Sequence, residues 1–172
     1  MTEVAIRPAR PDDAPSILPL LNALNAITGN DPVKKSSDTL SAMLSEDRVF
    51  GAVADHRGEL VGYVLGHDCV TMEHLEPGAY LHDLIVASDY QRQGIGRQLI
   101  DRFSAIAKAR GATHLWWLGL ETNLRARDAY RAILRGGSTD PEGEQMRAYA
   151  LTRGDFDAAA ARGVGSLYYS TV

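Results

Sequence analysis

Apolar positions recur along this chain with two spacings, and the switches between them predict its elements. Val4-Ala5-Ile6-Arg7 reads as a short strand that Pro8 and Pro11 close, and Asp12 or Asp13 can cap the helix that follows. From Ala14 to Ile27, Ile17, Leu18, Leu21 and Leu24 return at helical spacing. Thr28 to Lys35 holds Gly29, Asn30, Asp31 and Pro32 and reads as a loop, after which Ser37-Asp38 opens a second helix carrying Leu40, Met43 and Leu44. Two β-rich runs, Val49 to Ala54 and Leu60 to Gly66, flank Asp55-His56-Arg57-Gly58 and form a hairpin signal. Simple alternation places Val49, Gly51 and Val53 on one side of the first run, and Val61, Tyr63 and Leu65 on one side of the second. A polar loop from Glu73 to Gly78 leads into a strand over Tyr80–Val86.

The clearest helix runs from Gly94 to Arg110. Ile95, Leu99, Phe103, Ile106 and Ala107 form its buried stripe, and Gly111 stops it. A strand over His114–Leu120 and a helix over Asn123–Leu134 follow, the helix with Ala126, Ala129, Tyr130 and Ile133 on one face. Gln145 to Leu151 is a candidate strand, Ala158–Ala161 a helical turn, and Ser166–Thr171 a final strand. Strands and helices are interleaved, with two strand–helix units in the second half. The class is therefore α/β (α+β) around one mixed sheet. We expect a single domain over residues 1–154 and a C-terminal extension over 155–172.

Composition narrows the function. The 172 residues are 45% hydrophobic and 23% charged, near the globular average, which excludes a disordered or collagen-like chain. Eighteen Lys and Arg against 22 Asp and Glu leave a net charge of -4, which argues against nucleic-acid or anionic-lipid partners, suits a small-molecule enzyme and mildly favours a cationic substrate. The one cysteine, Cys69, permits neither an internal disulfide nor a Cys-rich zinc cluster, and no metal is expected. No apolar run reaches the roughly 18 residues of a membrane span, and Met1-Thr2-Glu3-Val4 has no secretory pattern, so the expectation is a cytoplasmic protein.

The chemistry concentrates in Leu84-Ile85-Val86-Ala87-Ser88-Asp89-Tyr90-Gln91-Arg92-Gln93-Gly94-Ile95-Gly96-Arg97. A buried strand, a short turn and a helix opening with two glycines leave backbone N–H groups unpaired at the positive end of a helix dipole, which is a phosphate site. Gly94 and Gly96 bring no side chain to hold a diphosphate away, and Arg92 and Arg97 add countercharge. A dinucleotide fingerprint fits poorly, since its third glycine position is Leu99 and Trp116 stands near where its acidic ribose ligand belongs. A glycine-rich turn that only joins strand to helix is the plain structural alternative.

These residues resemble the GCN5-related N-acetyltransferase (GNAT) family. The family signature Gln/Arg-x-x-Gly-x-Gly/Ala is matched by Gln91, Gly94 and Gly96, and its later Asn-x-x-Ala-x-x-x-Tyr by Asn123, Ala126 and Tyr130. The resemblance implies a mixed sheet whose fourth and fifth strands splay apart, flanked by helices. It also implies acetyl-CoA as co-substrate, with its diphosphate on the Gln91–Arg97 loop (Gln91, Arg92, Gln93, Gly94, Ile95, Gly96, Arg97) and its pantetheine arm on free backbone groups of Leu84, Ile85 and Val86. Asn123 would bond the pantetheine, Ala126 would allow close approach, and Tyr130 would reach the thioester sulfur. Residues 123, 126 and 130 share one helix face, which suits that task. After Tyr130 the chain departs from the family pattern: Arg135-Gly136-Gly137 places the glycines late and without an aromatic neighbour, which leaves a homodimer built through the closing strands open.

An activated acyl donor needs no enzyme nucleophile, so the expected reaction is direct attack by a primary amine of a small molecule. Tyr130 is the general acid by resemblance. For the base, Asp83 is the first candidate, with His82 and Glu121 as competitors and a water relay as a further route. Strand alternation puts Tyr80, His82 and Leu84 on one face and Leu81, Asp83 and Ile85 on the other. Cys69 aided by His67 could form an acyl-enzyme, which the reaction does not need. Trp116 and Trp117 point to opposite sides of their strand; both read as core, with a pocket-lining role for one as the alternative. Glu73, His74 and Glu76 read as a solvated loop that could rim the pocket. Residues 79–96 are similar to the aminoglycoside 3-N-acetyltransferase and glucosamine-phosphate acetyltransferase branches of the family, and the acidic residues favour a cationic amine. An acyl-CoA-binding module without turnover, a protein or peptide amine acetyltransferase, and transfer to an alcohol or of a longer acyl chain are the rival readings.

Overall fold

A computed structural model describes residues 4–72 and 75–118. Five strands line up in sequence order: β1 (Ala5–Pro8), β2 (Phe50–His56), β3 (Glu59–Thr71), β4 (Glu76–Val86) and β5 (His114–Trp116). The first four pair antiparallel and β5 joins β4 in parallel, so the sheet is mixed. Helices α1 (Ala14–Thr28) and α2 (Ser37–Ser45) connect β1 to β2, and α3 (Ile95–Ala109) connects β4 to β5.

Two apolar clusters fill the two faces of the sheet. On one face α3 lays Ile95, Leu99, Ile100, Phe103 and Ala107 onto Phe50, Ala52, Ala54, Val64, Ala79 and Leu81. Phe103 stacks on Phe50 with centroids 5.0 Å apart, and Arg110 covers the other part of that ring at 4.4 Å. On the opposite face Ile17, Leu20, Leu21 and Leu24 of α1 and Leu40 and Leu44 of α2 pack with Val53, Tyr63, Leu65 and Ile85. Most of the helical stripes read from the sequence make these contacts; Leu18 and Met43 do not, and Leu20 and Ile100 join instead.

Asp13 precedes α1, but its carboxylate does not cap the helix. It takes a two-bond fork from Arg7, 2.8 Å to each oxygen, and the Arg10 N–H at 2.8 Å. Arg7 also reaches Asp55 on β2, so this ion network ties β1 to the start of α1 and to β2.

Strands β3 and β4 run further than the expected Leu60–Gly66 and Tyr80–Val86, because their hairpin continues to the pair Thr71↔Glu76. Backbone pairing carries the ladder past residues whose side chains are exposed, such as Val70, and takes part of the expected Glu73–Gly78 loop into β4. Two bulges also correct the face assignments. The β2–β3 register shifts at Ala54/Asp55, which turns Val61 to the α3 side while Tyr63 and Leu65 face α1. The β3–β4 register shifts at Leu65/Gly66, so that Leu65 pairs with Asp83 and Gly66 with Leu81, leaving His82 as the extra residue. Gly66 is required at that point, because a Cβ there would strike the Tyr80 carbonyl oxygen and lie 2.6 Å from Phe103 Cζ.

Candidate active site

Pairing between β4 and β5 covers only Gly78↔His114, Ala79↔Leu115 and Tyr80↔Trp116. Beyond Tyr80 the β5-side edge of β4 has no strand partner among the described residues. The bond from Ala87 N–H to the Val61 carbonyl, 2.8 Å, sets the phase of the β3 ladder. Backbone direction alternates along an antiparallel strand, so Ile85 spends its groups on β3 and Leu84 and Val86 turn theirs to the open edge.

The loop after β4 folds onto itself. Gln91 Nε2 donates to the Val86 carbonyl at 2.9 Å, and Gln93 Nε2 to the Asp89 carbonyl at 3.1 Å, so both side chains brace the turn. Arg92 (φ 61°) and Gly94 (φ 80°) are both left-handed, which turns successive amides inward. The first helical bond of α3 is Gln98 N–H to the Gly94 carbonyl, 3.1 Å, so the amides of Ile95, Gly96 and Arg97 have no intrahelical acceptor. Gly94 caps the helix without a side chain. The Ile95 side chain is core, leaving its N–H to the site; Arg92 is exposed, and Arg97 is exposed beside Asp101, 3.7 Å away.

Gly96 is informative because the fold does not need it. Its φ is ordinary, and among the described residues a Cβ there would meet only Val86 Cγ2, at 3.9 Å. The space beside it is open, as close approach of a diphosphate would require.

On the α1/α2 face, the bulge gathers side chains that simple alternation keeps apart. The His82 ring lies 4.7 Å from His67 on β3 and 4.7 Å from Tyr80, and Tyr80 lies 4.4 Å from Trp116 on β5. Asp83 sits beside this row on the same face, opposite Leu65 and diagonal to Tyr63. The placement of His82 and Asp83 on opposite faces is thereby corrected. Burial pushes the Asp83 carboxyl above its ordinary value, although the neighbouring His82 opposes this. Burial and then the charge of His67 push His82 down, against the pull of Asp83. The fully buried Tyr63 hydroxyl has no hydrogen-bond partner among the described residues; burial and then Asp83 push its pKa up.

Trp116 is 42% exposed, with Nε1 donating to Cys69 Sγ at 3.2 Å, whereas Trp117 packs against the α3-side cluster. The expectation of two core tryptophans therefore holds only in part: the parallel pairing of β5 turns Trp116 to the open face. His67 and Tyr80 belong to the site, although neither stood among its first candidates. Their signal was the hairpin register, which depends on a bulge that no local pattern announces. Glu121, Asn123, Ala126 and Tyr130 lie outside the described residues, as do Glu73 and His74, the expected helix over 123–134 and the C-terminal elements.

A family model, the acetyltransferase (GNAT) family, matches residues 19–134. The chain belongs to this family. Members use acetyl-CoA as co-substrate, and the match extends past β5 through the segment holding Asn123, Ala126 and Tyr130. The bovine (Bos taurus) thialysine N-epsilon-acetyltransferase is 30% identical over 83% of this chain and 90% of its own length. The pig (Sus scrofa) protein of the same name is 27% identical over the same shares. Among solved structures, an aminoglycoside acetyltransferase from an uncultured soil metagenomic sample superposes with a TM-score of 0.72 at 22% identity, covering 87% of this chain and 97% of that one. A ribosomal-protein-alanine N-acetyltransferase from Brucella melitensis gives 0.66 at 20% identity, over 87% and 99%. These structures share the mixed sheet flanked by helices. No helix among the described residues is long and apolar enough to cross a membrane.

Proposed function

We propose that this acetyltransferase moves an acetyl group from acetyl-CoA to a primary amine of a small molecule by direct attack. The observation that carries the reading is the continuity of two features: an amide cradle at the start of α3, and beside it a β4 edge that has no strand partner among the described residues beyond Tyr80. The relatives named for thialysine and aminoglycoside acetylation support an amine acceptor.

Residues 1–154 form the catalytic domain in this reading and 155–172 an extension. The amides of Ile95, Gly96 and Arg97 hold the diphosphate, with Arg92 and Arg97 as countercharge, while Gln91 and Gln93 keep the loop in shape. Leu84 and Val86 offer backbone groups to the pantetheine arm, and Asn123 and Ala126 flank it from the following segment. Acetyl-CoA supplies an acetyl group already activated as a thioester, so no residue of the chain becomes acylated. Asp83 holds negative charge on the acceptor face and draws a cationic amine to the splay. The amine proton leaves on this face, where Asp83 and His82 are the described acceptors. Tyr130 returns a proton to the departing thiolate.

Thiol release from acetyl-CoA tests this, measured with a panel of aminoglycosides, polyamines, amino acids, amino sugars and short peptides. Release above the amine-free blank is expected. In Tyr130→Phe, kcat should fall by about 10²-fold or more with CoA affinity little changed. Unchanged kcat would remove Tyr130 from the mechanism. CoA binding without release for any amine would leave a binding module.

A further inference from the structure

We propose that His82 accepts the proton of the attacking amine and that His67, packed on its ring from the neighbouring strand, is a positioning residue that fixes this ring at the splay and keeps positive charge off it. This rests on the amine-acetylation reading above.

The geometry comes from the bulge. His82 is the residue inserted where β3 and β4 change register, and the insertion brings it onto the face of Tyr80 and Asp83. Its ring is held by His67, tilted at 32°, and by Tyr80, edge-on at 87°. The residue nevertheless remains exposed, so an acceptor can reach it. It lies just past Tyr80↔Trp116, the last described pair between β4 and β5, beyond which this edge of β4 has no strand partner among the described residues.

The groups facing His82 can be named element by element. From β4 they are Tyr80 and Asp83. From β3 they are His67, with Cys69 two residues on and Tyr63 beyond Asp83. From β5 it is Trp116, with His114 two residues further from the splay, where the Glu76 carboxylate at the start of β4 accepts from Thr113. Helix α1 carries no ionisable side chain, and α2 carries only Asp38, which lies by Ser36. The α1–α2 loop carries Asp31, Lys34 and Lys35.

Burial and then the charge of the neighbouring His67 disfavour protonation of His82, so its ring stays neutral to lower pH than an exposed histidine. A neutral imidazole is a better matched base near pH 7 than a carboxylate. Asp83 then keeps its charge and attracts the ammonium form of the acceptor. In the reaction the neutral amine forms the C–N bond, the C–S bond breaks, and the amine proton passes to the His82 ring. The thiol leaves with the Tyr130 proton, and exchange with solvent restores both residues.

The test uses the full chain and has two readouts. NMR titration of the His82 ring, assigned with His82→Gln, is followed in the wild type and in His67→Phe, which keeps a ring but no charge; His67→Asn repeats it without the ring. The pH profile of kcat/KM is measured for the same proteins. His82 is expected to titrate below the ordinary histidine value and to move to higher pH in both His67 variants. The acidic limb of kcat/KM should move with it, and His82→Gln should lose about 10²-fold or more and lack that limb. A His82 titration that ignores His67 would overturn the positioning role. Wild-type turnover and an unchanged limb in His82→Gln would overturn the acceptor role. If the wild type releases no thiol with any amine, the amine reading fails and takes the acceptor role with it, whereas the NMR result still decides the coupling of the two rings.

Discussion

Replacing Gly96 by alanine separates what the fold needs from what its ligand needs. Gly96 is the second residue of α3, its φ is ordinary, and among the described residues the added Cβ would touch only Val86 Cγ2 at 3.9 Å. The free protein should therefore gain stability, by about 0.5 kcal/mol, because alanine has less unfolded-chain freedom to lose and favours the helix. Holding the diphosphate one methyl group further out sacrifices a charge-assisted hydrogen bond worth about 1.5–3 kcal/mol, or about 30-fold in Kd. At a CoA concentration about 100 times the wild-type Kd, binding stabilises the wild type by about 2.7 kcal/mol and the variant by about 0.9 kcal/mol. For a chain of this size the CoA-induced rise in Tm should fall from about 5–10 °C to about 2–3 °C. Thermal melts with and without CoA, backed by calorimetric titration, measure both signs. Equal CoA shifts in the two proteins would refute the placement of the diphosphate. A free variant less stable than wild type would refute the claim that the fold has no use for this glycine.

Asp13 offers a pH test of the ion network at β1. Burial raises its carboxyl pKa, but the Arg7 fork and the Arg10 N–H outweigh that and leave it below the ordinary value. A depressed pKa contributes stability that is present above the unfolded value and is lost as pH falls through the folded one. Urea midpoints from pH 6 down to 2 should therefore fall more steeply in the wild type than in Asp13→Asn, which at neutral pH should already be weaker by about 2 kcal/mol. Parallel curves would mean that the network contributes nothing. Gly66→Ala forces a Cβ onto the Tyr80 carbonyl and Phe103 at the β3–β4 bulge, and should destabilise by about 1–3 kcal/mol. Because that bulge seats His82, the stable fraction should also show a displaced His82 ring signal; an unperturbed spectrum would argue against the bulge.

Much of the molecule was legible in the chain because its information is local. The stripe Ile95, Leu99, Phe103 and Ala107 predicts α3 and its buried face, since a helix brings those positions together whatever surrounds it. The cradle was legible for the same reason: Gly94 and Gly96 at the start of a helix imply free amides before any tertiary contact is known. Face assignments on the strands were not. Strand alternation is local, but a bulge is set by the partner strand, and one inserted residue reverses every side chain after it. Val61, His82 and Asp83 were misplaced for that reason, and His67 entered the site only through its register with Tyr80. Trp116 was likewise decided by parallel pairing with Tyr80 rather than by its own hydrophobicity.

For the described residues the sequence alone thus determined the order of elements, most of the helix faces and the amide-lined turn before α3, all of which follow from spacing within one segment. Only the tertiary structure decided which backbone groups of β4 turn away from β3 and which rings meet beside them. Those depend on how three strands register against one another, and registry is a property of the pair rather than of either strand.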